Sequence, residues 1–172
     1  MSKERILAID PGNEKSAYIV YNAKTKKVED FGLVPNLELM ANLNHPEWDS
    51  IGVMGIEMIR SYGMRVGQTV FDTCLWIGRF VESFLAYSNA RVVKKIYRKD
   101  NVCMHICHTT RAKDADITHA ICDRYGGSMK AAKGTKKEPG PLYGFKKDIW
   151  QAMAVALTTA EADIKPEQIM DE

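Results

Sequence analysis

Three acids occupy positions where a carboxylate is hard to accommodate. Asp10 closes the apolar run Ile6-Leu7-Ala8-Ile9 and is followed at once by Pro11-Gly12-Asn13, which is turn chemistry. Glu57 is embedded in the apolar stretch GVMGIEMI, and Asp148 stands near the start of the last helical pattern, KKDIWQAMAVALTTAEAD. Taken singly, each has a plain explanation: a turn cap, a strand-end Glu reaching solvent, and a charge that suits a helix dipole. Brought to one point, they do something else. A buried, unpaired carboxylate is strongly disfavoured or stays protonated, and a divalent cation relieves the crowding. Mg²⁺ or Mn²⁺ takes oxygen ligands of this kind, and two such ions about 3.5–4 Å apart stabilise the attacking and leaving oxygens of a phosphodiester. Gln151 lies three residues after Asp148, so on a helix both project from nearly the same face. Its amide is a poorer ligand than a carboxylate but can orient water by a hydrogen bond, which predicts a supporting role and one loosely held ion. If that role fails, Asp114 or Asp116 becomes the next acid to consider.

Convergence depends on the elements. Strands are predicted at about 5–10, 16–22 and 28–34, joined by short turns as an antiparallel meander. Asn36 then reads as the N-cap of a helix carrying Leu37, Met40, Ala41 and Leu43 at helical spacing, ended by Pro46. SIGVMGIEMI is a fourth strand, free to run parallel to the first because a helix separates it from the third. The helix GQTVFDTCLWIGRFVESFLAYS is apolar over more than one stripe, so it is either sandwiched or has a partner face. RVVKKIY reads as a fifth strand with its lysines near an edge. Two shorter helices are expected near 101–108 and 113–125. The Gly-, Pro- and Lys-rich stretch 126–144 is long for a loop and reads as a flexible, functional segment. Ala152, Ala154 and Ala156 let the last helix approach a sheet closely, and a tail follows at 163–172. This order resembles an RNase H-like fold: one α/β domain over residues 1–172, with a mixed five-stranded sheet flanked by helices. In that arrangement the first and fourth strands are neighbours, and Asp10 and Glu57 meet near the sheet centre.

Composition agrees with a single domain that has a real core: 172 residues, 45% hydrophobic and 27% charged. No apolar run approaches the roughly 20 residues that span a bilayer. The chain enters its first strand directly, which predicts a cytoplasmic protein without a signal peptide or membrane partner. Net charge is only +2, but RVVKKIYRK holds five basic residues and KAAKGTKK four, with no acid in either. Two such clusters flanking an acidic site suggest a polyanion. Cys103, Cys107, His119 and Cys122 are spaced so that two helices could offer a zinc site, although an unusual one; free thiols packed against apolar neighbours are the plainer reading, and disulfides are not implied.

LAIDPG, GIEMIRSYGM and GPLYGFKKDIWQAMAVAL together resemble the RuvC-type Holliday junction resolvases, particularly the divergent branch carried by phages of Gram-positive bacteria, over about residues 3–162. The resemblance implies a homodimeric, metal-dependent endonuclease that cuts opposed strands of a four-way DNA junction in a bacterial cell. It implies Asp10, Glu57 and Asp148 as catalytic metal ligands, with two Mg²⁺ or Mn²⁺ per site, and no nucleotide cofactor. It also implies a dimer face on the long helix, with Phe71, Leu75 or Phe84 in it. Cellular members typically carry a second acid where this chain has Gln151. Arg60, Arg65 and Tyr62, in the turn after Glu57, are candidates for phosphate contact and base stacking. Lys94, Lys95, Lys133, Lys136 and Lys137 are candidates for DNA backbone contacts. Two rival functions remain. IDPG also resembles the phosphate loop of actin-like and sugar-kinase ATPases, which need two such domains. A non-catalytic junction-binding or architectural DNA protein is the other.

Overall fold

Alternating apolar side chains on two faces build the sheet. In the computed structural model, which describes residues 2–63 and 65–166, five strands form: β1 (Ser2–Asp10), β2 (Lys15–Asn22), β3 (Lys27–Pro35), β4 (Ile51–Met58) and β5 (Val92–Tyr97). Their order in the single sheet is β3-β2-β1-β4-β5. The tight connections make β1–β2 and β2–β3 antiparallel, and the helical crossovers make β1–β4 and β4–β5 parallel. This is the α/β, RNase H-like arrangement the sequence predicts.

Side-chain parity divides the core. Ile6, Ala8, Val53 and Ile96 face one way, into a layer with α3 (Met104–Cys107), α4 (Asp114–Arg124) and α6 (Ile149–Glu161). Leu7, Ile9, Met54, Ile56 and Val93 face the other way, against α1 (Asn36–Asn42) and α2 (Gln68–Ala86). Every residue of α6 from Ile149 to Thr159 is buried, because the sheet and α4 enclose it. Its approach is close: a Cβ at Gly55 would lie 1.9 Å from Thr159 Oγ1. No helix among the described residues is long and apolar enough to cross a membrane.

Several local expectations are corrected. Pro35, not Asn36, occupies the cap position of α1, and Asn36 is drawn inward to a different task described below. Leu37 points to solvent, while Leu39 and Leu43 fill the core. On α2 the inward stripe is Thr73, Ile77, Phe80 and Phe84. Phe84 is 1% exposed and belongs to the core, so it is removed from the expected dimer face. Phe71 and Leu75 do remain on the outside. The stretch 126–144 contains a short helix, α5 (Met129–Lys133), and a bridge between Gly134 and Pro139. Ala132 and Leu142 are fully buried there, and these apolar anchors give the segment more structure than its composition suggests. Between β5 and α3 the chain forms a π-helical turn, Arg98–Cys103. Of the tail expected at 163–172, residues 167–172 lie outside the described residues.

Candidate active site

Register brings the first two acids together. Ile9 pairs with Ile56 across the parallel strands, so Asp10 and Glu57 are neighbours one residue further on. Both share the parity of Ala8 and Val53, which directs them toward the α6 side of the sheet. Asp148 immediately precedes α6 on that side, and the Asp10 carboxyl feels its charge. Burial raises Asp10 well above the usual carboxylate range, and the charges of Glu57 and Asp148 push it further. Burial also raises Glu57, although Arg98 draws it back part of the way.

The turn after Asp10 is braced from two directions. The Gly12 amide donates to Ser16 Oγ (3.1 Å), the Ser16 hydroxyl donates to Asn36 Oδ1 (2.7 Å), and Asn36 Nδ2 donates to the Gly12 carbonyl (2.9 Å). Ser16 and Asn36 are both buried. A Cβ on Gly12 would stand 2.3 Å from the Lys15 carbonyl oxygen, so only glycine closes this turn. These residues hold the strand end that presents Asp10. Cap preference at the start of a helix pointed to Asn36 for the wrong reason.

Arg98 carries no local signal that sets it apart. It follows β5 with the same parity as Ile96, which pairs with Glu57. Its guanidinium reaches Glu57 Oε2 at 3.5 Å and makes a second, short contact with Asp114 Oδ1. Within RVVKKIYRK it looked like one more surface cation, and only strand register identifies it. Gln151, one turn along α6 from Asp148, is buried, and its Oε1 has no hydrogen-bond partner.

Among the described residues no three His, Cys, Asp or Glu side chains are grouped closely enough to hold a metal ion as they stand. Arg98 engages Glu57 and Asp114, and Asp148 is solvent-exposed at the helix start. The donor chemistry nevertheless suits a hard divalent cation. Carboxylates from Asp10, Glu57 and Asp148 crowd one region, and an unsatisfied amide oxygen lies on the adjacent helix turn. Cys103, Cys107, His119 and Cys122 do not form a zinc site. Cys103 donates to the Ala112 carbonyl and Cys122 lies 3.7 Å from Met129 Sδ. Burial pushes the Cys103, Cys107 and Cys122 thiols up, away from the thiolate a metal needs.

The candidate DNA-contacting residues have different settings. Arg60 contacts Asp100 and stacks over Tyr97, 4.9 Å from the ring centroid. Tyr62 is exposed and carries Lys99 over its ring at 4.1 Å. Arg65 is exposed in the same loop, as are Lys136 and Lys137 beyond α5, with Lys133 half-buried. Lys94 shares the parity of Ile96 but lies deeper in the sheet, beside Gly55, and donates to the Thr159 carbonyl at 3.2 Å. That contact is near the far end of α6 from Asp148, so Lys94 is not gathered with the acids. Lys95, of opposite parity, faces the other side of the sheet.

No family model matches the chain, and no curated relative matches it significantly. Solved structures do. Thermus thermophilus RuvC superposes with a TM-score of 0.64 at 15% sequence identity, covering 95% of this chain and 99% of that one. The fold is RuvC-like. A structure of T. thermophilus RuvC in complex with Holliday junction substrate superposes with a TM-score of 0.62 at 12% identity and the same coverage. At such identities the likeness speaks for the architecture, and the argument about chemistry rests on the site itself.

Proposed function

We propose that this chain is a metal-dependent endonuclease that hydrolyses phosphodiesters at four-way or other branched DNA junctions. The carrying observation is the meeting of Asp10 and Glu57 at neighbouring ends of β1 and β4, within the field of Asp148 at the start of α6. The RuvC-like fold, and the Holliday junction in the related Thermus structure, support branched DNA as the substrate. Asp10, Glu57 and Asp148 would hold Mg²⁺ or Mn²⁺, which supplies activation of water and stabilisation of the leaving oxygen. The chain's own part is positioning. The Ser16–Asn36 brace fixes the strand end that bears Asp10, β4 fixes Glu57, and Gln151 can orient water or a ligand through its free amide oxygen. Arg60, Arg65, Lys133, Lys136 and Lys137 are suited to phosphates, and Tyr62 to stacking on an unpaired base. Opposed incisions need two active sites, so the working form is a homodimer acting in the recombination, replication or packaging of phage DNA in a bacterial host.

The test is cleavage of a synthetic four-way junction, with fork and linear duplex alongside, in Mg²⁺ and Mn²⁺. Asp10→Asn, Glu57→Gln and Asp148→Asn should each abolish cutting while leaving junction binding intact or tighter, because each removes negative charge near phosphates. Gln151→Ala should retain activity reduced about tenfold to a hundredfold, as outer partners of a metal site do. Near-wild-type cutting by any acid variant removes that residue from the site. A second reading has two observations in its favour: Glu57 is already engaged by Arg98, and Gln151 stands where a second helix acid would be, as in a protein that binds junctions without cutting them. Binding without cleavage under every metal condition would establish it.

A further inference from the structure

Arg98 raises a question of charge. The Asp10 carboxyl senses the charges of Glu57, Asp148 and Asp114, and Arg98 is the cation that Asp10 and Glu57 both sense. The guanidinium spans two elements, touching Glu57 on β4 and Asp114 on the first turn of α4. Its position is built into the backbone: β5 ends at Tyr97, and a π-helical turn begins at Arg98 itself. Such turns are rare and are frequently found at functional sites. Arg98 is three-quarters buried in side-chain terms, whereas its partner Asp114 is 76% exposed. The fork therefore has a largely buried body, one buried carboxylate and one exposed one.

We propose that Arg98 is a positioning residue that neutralises Glu57 in the metal-free protein and competes with the divalent cation for it, withdrawing to Asp114 when metal binds. The idea rests on the metal-site reading above and adds to it a specific antagonist within the chain. It accounts for two observations together. Buried acids are tolerated before metal arrives because a guanidinium compensates them, and among the described residues no three acids are grouped as a ready-made chelate because that same guanidinium engages two of them. Asp114 in this account is not a ligand. It is the alternative seat that lets Arg98 release Glu57 without becoming an unpaired buried charge.

The experiment measures Mn²⁺ binding to the full-length protein by calorimetry and by the loss of the free-ion electron paramagnetic resonance signal, with thermal melting in EDTA and in Mn²⁺. Arg98→Gln and Arg98→Ala should bind Mn²⁺ about tenfold tighter than wild type, since a unit positive charge near the ion is removed. Both should melt lower than wild type in EDTA and recover more on adding Mn²⁺. Arg98→Lys keeps the charge and should stay within about threefold of wild-type affinity. Asp114→Asn should weaken Mn²⁺ binding in the wild-type background and far less in Arg98→Gln, where no guanidinium needs the alternative seat. Unchanged or weaker Mn²⁺ binding by folded Arg98→Gln overturns the competition. Equal losses from Asp114→Asn in both backgrounds would make Asp114 a ligand and overturn its role as a seat. If wild type shows no Mn²⁺ site that Asp10→Asn removes, the metal reading itself fails and the competition falls with it.

Discussion

The Asp10 carboxyl is held well above its ordinary value of 3.8, first by burial and then by Glu57 and Asp148. The consequence for folding has a definite sign. A carboxyl with a raised folded pKa gives its full contribution to stability below the unfolded value, and that contribution is lost as pH rises through the folded value. On the metal-site reading proposed above, the charged form of Asp10 costs stability at neutral pH until a metal binds. Asp10→Asn mimics the protonated form at every pH. In EDTA it should melt above wild type at pH 7.5, and the gap should close as pH falls toward the ordinary carboxylate range, near about 4. Melting curves across that interval check it; a wild type as stable as the variant at pH 7.5 would mean Arg98 compensates Asp10 fully. Residues of this kind divided sharply in how readable they were. Asp10 and Glu57 stand out because each interrupts an apolar run. Arg98 does not, because a cation in RVVKKIYRK looks like its neighbours until register sets it beside Glu57. Ser16 and Asn36 escaped for a similar reason: their hydrogen bonds link positions twenty residues apart.

Elements were more legible than side chains because their signals are local. Strand parity and turn residues mark β1 to β5, and the separation of β4 from β3 by a helix implies a parallel neighbour for β1. What local pattern could not decide was which stripe of a helix apolar on several sides faces inward. On α2, Ile77, Phe80 and Phe84 go to the core while Phe71 and Leu75, equally apolar, stay outside. At α6 the question is how close the helix may come. Gly55 leaves the space that Thr159 fills, and Thr159 Oγ1 is fixed by donating to the Val155 carbonyl at 2.7 Å. Gly55→Ala should therefore push α6 from the sheet and lower stability by about 1–3 kcal/mol, the usual range for overpacking. Asp148 immediately precedes α6, so cleavage should fall more than the stability loss alone explains. Denaturant unfolding, together with cleavage measured where both proteins are fully folded, separates the two effects. Unaltered stability would show that Thr159 rotates aside and that the close approach is not a constraint.

At the scale of the whole molecule, the open question is what covers the outer face of α2. Phe71 is 57% and Leu75 64% exposed, one turn apart, and Leu75 borders a groove shared with Met40, Cys74, Gly78 and Arg79. Single exposed apolar residues need no explanation, but a paired stripe beside an apolar groove suits a partner. A second copy of the chain is the partner that the proposed junction cleavage calls for. Cutting two opposed strands of a two-fold junction requires two sites related by the same symmetry, and an isologous contact supplies them. Sedimentation at micromolar concentration should show a dimer. Leu75→Glu, combined with Phe71→Glu, should give a monomer with an unchanged circular dichroism spectrum, since neither side chain is in the core. That monomer should still carry all three acids and nick a junction slowly, but its two incisions should become independent, so that singly nicked junctions accumulate in place of resolved duplexes. A wild type that sediments as a monomer with and without DNA would refute this assembly. Retained paired incision by the double variant would move the interface off α2, to a surface that the apolar stripe does not mark.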